Sequence, residues 1–322
     1  MIYDFKAMRK HLILAATALV LAACGNDENI DNNGPVELRL SSGIEVQTRA
    51  AHNLDTQLKN GESVHVWVDD AGTDAGLYQD NTLTAGNNGV LTGGETMYFP
   101  ASGNAADIYA IHGNFLTDLT SFWGESVTHE VATNQKSEGG NYAASDLVYC
   151  KMEEVARTTS TVQLNFKHLL SKVEVVLVEG AGAPEMTQAE ILNTKLQAIF
   201  TPAKANETIT VTAAGEVTDS NPIEIDCGIT DEATAQADSD EGKVLNEAII
   251  VPQTLAANTP FIRVTTSDGG QLIYSLPAET TFDPGKRYRY TVTANLTGLN
   301  VTASIDDWGD GSLNNEGDAV MQ

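Results

Sequence analysis

The chain has 322 residues and sets 18 Lys and Arg against 44 Asp and Glu, a formal net charge of −26 at pH 7. That excess repels nucleic acid and anionic membrane surfaces, so neither is expected as a direct partner. The acidic residues are spread through turns such as Asp69-Asp70, Asp238-Ser239-Asp240-Glu241 and Asp306-Asp307 rather than gathered in one tail, as suits a solvated exterior. With a leader and tether set aside, the length suits one large or two ordinary domains, and two are expected.

The first element is an export signal. Met8-Arg9-Lys10-His11 is a short basic start, Leu12 to Ala23 is apolar apart from Thr17, and Ala22-Ala23 precede Cys24. The apolar run is too short to span a bilayer and has the order of a removable secretory signal. Leu21-Ala22-Ala23-Cys24 resembles the lipobox of bacterial lipoproteins, which implies cleavage before Cys24 and a lipid on its thiol. One acyl chain holds a protein only marginally, so stable anchoring implies more than one. Residues 1–23 are therefore assigned to the signal, with Met8 a candidate start. The following Gly-Asn-Asp-Glu-Asn-Ile-Asp-Asn-Asn-Gly reads as a flexible tether.

A first strand is expected over Val36-Glu37-Leu38-Arg39-Leu40 and Ile44-Glu45-Val46. From about residue 60 onward, short alternating or β-branched runs are separated by Gly, Asn, Asp and Pro clusters, the pattern of an all-β sandwich. Val64, Val66 and Val68 share a face, with Asp69-Asp70-Ala71-Gly72 expected as the turn that ends them. Similar runs follow at Thr96 to Phe99, Asp107 to His112 and Asp146 to Met152. The cleanest alternation is Thr161 to Leu169, continued by Lys172 to Val178. The polar stretch Glu153 to Ser160 before it places a domain boundary near 159, giving domains at 50–159 and 160–322.

Further strands are expected at Leu196 to Phe200, Glu207 to Thr212, Ile223 to Cys227, Ala248 to Val251, Phe261 to Thr265 and Gln271 to Leu276. A closing hairpin of Tyr288 to Leu296 and Leu299 to Ile305 turns at Thr297-Gly298. Met186 to Leu196 is the one helix candidate, with Thr187 and Glu190 at capping-box spacing. Cys150 and Cys227 fall in strand-like runs and are expected to be buried free thiols; an extracytoplasmic location would also permit a bridge.

No catalytic, cofactor or metal site is expected. The six histidines, at 11, 52, 65, 112, 129 and 168, include no i, i+4 pair. The chain lacks a nucleophile elbow, a phosphate loop and a dinucleotide fingerprint. Asp306-Asp307-Trp308-Gly309-Asp310-Gly311 has oxygen ligands near glycines, but Gly317 stands where an EF-hand needs its last carboxylate. It reads instead as an acidic turn, with Trp308 covering a sheet end. Trp67 reads as core, and Trp123 in Phe122-Trp123-Gly124 as core or a ligand-stacking platform.

Together these features resemble the fimbrillins of Bacteroidota, which build the type V pilus. The resemblance rests on the lipobox at Cys24, Gln47-Thr48-Arg49-Ala50 and Tyr98-Phe99-Pro100-Ala101 with Ile108-Tyr109-Ala110. It continues in Leu164-Asn165-Phe166-Lys167-His168-Leu169-Leu170-Ser171-Lys172-Val173, in Phe282-Asp283-Pro284-Gly285-Lys286-Arg287-Tyr288-Arg289-Tyr290 and in Ile305-Asp306-Asp307-Trp308.

It implies two tandem transthyretin-like β-sandwiches in an outer-membrane lipoprotein precursor, cut by a trypsin-like protease after Arg49 so that Ala50 becomes the N-terminus. Residues 24–49 are then a tether plus a removable first strand. Its loss opens a groove that another fimbrial subunit fills by strand exchange, and a host or bacterial surface ligand is a further expected partner. Arg157 is a competing exposed arginine. Ser312 to Gln322 alternates little, which points to a tip or minor subunit that accepts a strand without donating one. The alternative is a surface glycan-binding β-sandwich lipoprotein, which would keep its lipid and first strand and present Trp123.

Overall fold

The computed structural model describes residues 34–44, 58–73, 75–215, 217, 222–237, 239–295 and 298–308. Strands run through it in the order β1 (Leu40–Ile44), β2 (Ser63–Asp70), β3 (Ala75–Ala85), β4 (Leu91–Thr92), β5 (Ala106–His112), β6 (Val127–Glu130), β7 (Val148–Val155), β8 (Val162–His168), β9 (Ser171–Glu179), β10 (Met186–Ile191) and β11 (Gln197–Phe200). They continue with β12 (Thr212–Ala214), β13 (Ile223–Ile225), β14 (Ile229–Thr230), β15 (Asn246–Ile250), β16 (Gln253–Leu255), β17 (Pro260–Thr266), β18 (Gln271–Ser275), β19 (Thr280–Phe282), β20 (Lys286–Asn295) and β21 (Gly298–Asp307). Two single-turn helices, α1 (Tyr142–Ser145) and α2 (Glu232–Ala235), interrupt them.

The class is all-β, with sheets packed as sandwiches. A seven-stranded sheet in the order β1-β8-β7-β5-β2-β3-β4 curls around one core, in which Val64, Val66 and Val68 meet Ile108, Ala110, Cys150, Leu164 and Phe166. A four-stranded sheet, β13-β10-β17-β18, faces β14-β9-β20-β21 across a second core that contains Val173, Val175, Phe261, Tyr288 and Tyr290. Alternation explains both, since every second residue of a strand points to the same side. In β8, Val162, Leu164 and Phe166 are buried while Gln163, Asn165 and Lys167 are exposed.

A third core joins the halves. Trp67, Tyr109, Ile111 and Tyr149, on the other face of the seven-stranded sheet, pack with Ala198, Phe200, Ile209, Ile249 and Val251. The three-stranded sheet β12-β11-β6 spans the same region, with β6 and β11 paired from Val127↔Phe200 to Glu130↔Gln197.

Several expectations change at this level. Met186 to Leu196 is not a helix: β10 lies in a sheet between β13 and β17, so its backbone pairs with neighbouring strands. Glu190 does not cap a helix but bonds Arg263 Nε at 2.6 Å. Asp69 and Asp70 close β2 rather than forming the turn after it. Thr96 to Phe99 does not lie in a named strand, and most of Glu207 to Thr212 precedes β12. β8 hydrogen-bonds to strands that precede residue 159, so a division drawn after His168 keeps each large sheet within one half. Cys150 and Cys227 are free thiols, the first buried and the second half-buried rather than buried.

Candidate assembly groove

β1 lies in a slot between β8 and the segments around Val90 and residues 97–99. On one side it runs parallel to β8, from Leu40↔Val162 to Ile44↔Phe166. Just before it, the Val162 N–H donates to the Arg39 carbonyl at 2.8 Å and Arg39 Nη2 donates to the Thr159 carbonyl at 2.5 Å. On the other side the segment is antiparallel to its neighbour, through bridges Glu37↔Tyr98 and Ser41↔Val90. There the Leu38 N–H donates to Met97 O at 2.8 Å, and the Phe99 N–H donates to Val36 O at 2.9 Å. Residues 36–44 thus close the sheet by hydrogen bonds along both edges, and withdrawing them would leave two unpaired edges.

The side chains explain what holds the segment in place. Leu38 and Leu40 are 3% and 2% exposed and belong to the same core as Leu91, Met97, Phe99, Val162, Leu164 and Phe166. Burial of each leucine contributes about 1.5–3 kcal/mol. Position 42 differs: Ser42 is buried, and its Oγ donates to the Gly89 carbonyl at 3.2 Å.

Gly89 ends a 3-10 turn, Asn87–Gly89, in which Asn88 and Gly89 both have positive φ, 63° and 74°. A Cβ on Gly89 would stand 2.5 Å from the Ser42 carbonyl oxygen. Glycine is therefore required there both by the left-handed backbone and by the approach of β1. The turn is pinned by the Gly86 N–H donating to Val90 O at 2.7 Å.

Cys24, Arg49 and Ala50 lie outside the described residues. The sequence located the first strand but split it at Ser41-Ser42-Gly43, which the structure places inside β1. It missed the Asn87–Gly89 lip and the 97–99 edge. Asn87-Asn88-Gly89 carries a local turn signal, but its contact with residue 42 is a tertiary one.

The other expected platform is partly covered. Trp123 is half-buried, its ring centroid 4.9 Å from both Tyr109 and Phe122 and 5.8 Å from Trp67. Lys204 Nζ sits 5.5 Å above its ring and pairs with Asp69. Trp123 therefore does not present a bare aromatic face. Trp308 is buried, stacked on His168 with ring centroids 3.6 Å apart. Asp306 lies in β21 near Arg287, at 3.6 Å.

Among the described residues no group of three His, Cys, Asp or Glu is arranged to hold a metal ion. A buried charged cluster lies on the face of β9 and β20 turned away from the second core. Glu174 there meets Lys172 at 3.3 Å and Arg289 at 2.7 Å, and Asp240 reaches Arg289 at 2.6 Å. Burial pushes the Glu174 carboxyl up, but Lys172, Arg289 and Arg287 together hold it below its ordinary value.

A model of the family described as fimbrillin-like matches residues 48–308. A curated protein of Bacteroides uniformis, "Putative fimbrium subunit Fim1C", is 25% identical over 318 residues, 95% of this chain and 97% of that protein. Among solved structures, a "putative cell adhesion protein" from B. uniformis superposes with TM-score 0.60 at 21% identity, covering 86% of this chain and 100% of the other. One from B. ovatus gives 0.60 at 17% identity, covering 85% and 98%. At these identities the two structures establish the fold.

Proposed function

The chain belongs to the fimbrillin-like family, and from that premise we propose that it is a subunit of a cell-surface fimbrium, exported as a lipoprotein precursor and activated by losing its first strand. Cys24 carries the lipid that holds the precursor at the outer membrane. Cleavage after Arg49 frees the chain with Ala50 at its N-terminus and releases residues 36–44 from their slot. Another subunit then supplies the missing strand, by main-chain hydrogen bonds along both edges and apolar side chains in the vacated pockets. Such addition is head to tail and does not close, so it builds a filament.

The observation that carries this reading is the seat of β1. A short segment bonded on both edges, burying Leu38 and Leu40, ends five residues before Arg49 in the sequence. The competing arginines suit cleavage less well. Arg39 has its carbonyl engaged by Val162 within the slot, and Arg157 is half-buried.

Treatment of the full chain with an arginine-specific protease is expected to yield a species that starts at Ala50 by N-terminal sequencing and assembles with its partner subunits. Arg49→Ala is expected to stay intact and monomeric. Assembly of that variant at the parent's rate would overturn the proposed trigger.

A further inference from the structure

We propose that the β1 slot selects its occupant by side-chain size, taking an extended segment of another subunit with two large apolar residues two positions apart and, two positions later, one no larger than serine. This rests on the reading of β1 as a replaceable strand, and it specifies which strands can replace it.

The three subsites are those of Leu38, Leu40 and Ser42. The first two are deep: their side chains are almost fully buried in the core that contains Met97, Phe99 and Val162. The third is shallow, because the Asn87–Gly89 turn lies across it and Ser42 Oγ already touches the Gly89 carbonyl at 3.2 Å. The obstacle is backbone rather than a side chain, so no rotamer change clears it. The turn is itself held by the Gly86–Val90 bond, which does not depend on β1. Position 43 is more forgiving, since what lies over Gly43 is the flexible end of Gln163.

Pairing removes the remaining freedom. The segment must run parallel to β8 at one edge and antiparallel to residues 97–99 at the other, which fixes its direction. A slip of one residue turns both apolar side chains outward. A slip of two toward the lip puts a large side chain under Gly89. The slot therefore accepts one direction and one register, and the lip acts as the register stop.

The test uses the full chain cut after Arg49, with the protease inhibited and removed, and fluorescent peptides of residues 36–46. The parent peptide Val-Glu-Leu-Arg-Leu-Ser-Ser-Gly-Ile-Glu-Val is expected to bind, and Leu40→Asn and Ser42→Leu peptides to bind at least about tenfold more weakly. Equal binding of the Ser42→Leu peptide overturns the size rule and leaves the replaceable strand standing. Failure of the parent peptide to bind a chain that sequencing shows to have lost residues 1–49 overturns both.

A second measurement needs no cleavage. In the uncut chain, Ser42→Leu and Gly89→Ala are each expected to speed amide hydrogen exchange across residues 36–44 by about tenfold, without change in β9 or β20. Unchanged exchange in both variants overturns the size rule.

Discussion

His129 shows how a single side chain ties this fold to pH. Its ring is fully buried; Nε2–H donates to the Ser145 carbonyl at 2.9 Å and Nδ1 accepts from the Asn114 N–H at 3.0 Å. Burial is the main cause that lowers its pKa from 6.5 to about 4, so the neutral imidazole is the form that folds. The unfolded chain takes up a proton below pH 6.5 while the native one does not until about pH 4. The His129 contribution to stability is therefore whole above pH 6.5 and is lost as pH falls toward 4. Between pH 6.5 and 5 the loss is about 1.5 kcal/mol. Denaturant unfolding of the parent and of His129→Gln at the two pH values checks this: the difference between them should shrink by that amount on acidification. None of it was legible in the sequence, because the partners of His129 lie 15 and 16 residues away. Cys150 is the opposite case: its apolar run announced a buried thiol, and burial pushes it up to about 12.

At the scale of the element, β1 is expected to matter in the precursor and not afterwards. Leu40→Ala removes a nearly fully buried side chain and should cost the uncut chain about 2–5 kcal/mol, the usual range for such truncations. The chain that has lost residues 1–49 no longer contains position 40, so parent and variant should then melt together. Equal stability of the uncut pair would mean that Leu40 does not anchor the strand. The strand that buries one face against a core was the most legible: the split between buried and exposed residues of β8 is what its alternation predicts, whereas β9 is buried on both faces from Ser171 to Val178. β3 was not legible, because it is largely exposed over Ala75 to Gln79 and includes Gly76 and Asp80, so it carries turn residues and little apolar period. β10 misled because capping-box spacing is a local signal, whereas its pairing with β13 and β17 comes from residues more than thirty positions away. The groove was half legible for the same reason: Leu38 and Leu40 alternate in the sequence, but Ser41-Ser42-Gly43 has no apolar residue and divides the expected strand, and only β8 and the Gly89 lip beside it make it one.

At the scale of the molecule, one apolar core ties the two halves together. The described residues from Pro35 onward form one compact unit, and the apolar core between the halves is the reason. Phe200 and Ile209 come from the second half and share that core with Trp67, Tyr109 and Phe122 from the first. Gln135 extends the joint by imitating a strand neighbour: its Nε2 donates to the Ile249 carbonyl at 2.9 Å and its Oε1 accepts from the Ile249 N–H at 2.7 Å. The Gly124 N–H donates to Pro202 O at 2.9 Å, and Lys151 reaches Glu207 at 3.2 Å. A joint of this kind makes the unfolding of either half expose apolar surface on the other, so calorimetry of the uncut chain should show one transition. Phe200 is 3% exposed, and Phe200→Ala should cost about 3–5 kcal/mol. Because that loss falls on the shared core rather than on either sandwich, it should also separate the single transition into two. A lower but still single transition would place the coupling elsewhere in the joint. Two transitions in the parent would show that the halves fold independently, and the slot of β1 would then be insulated from the second half rather than braced by it.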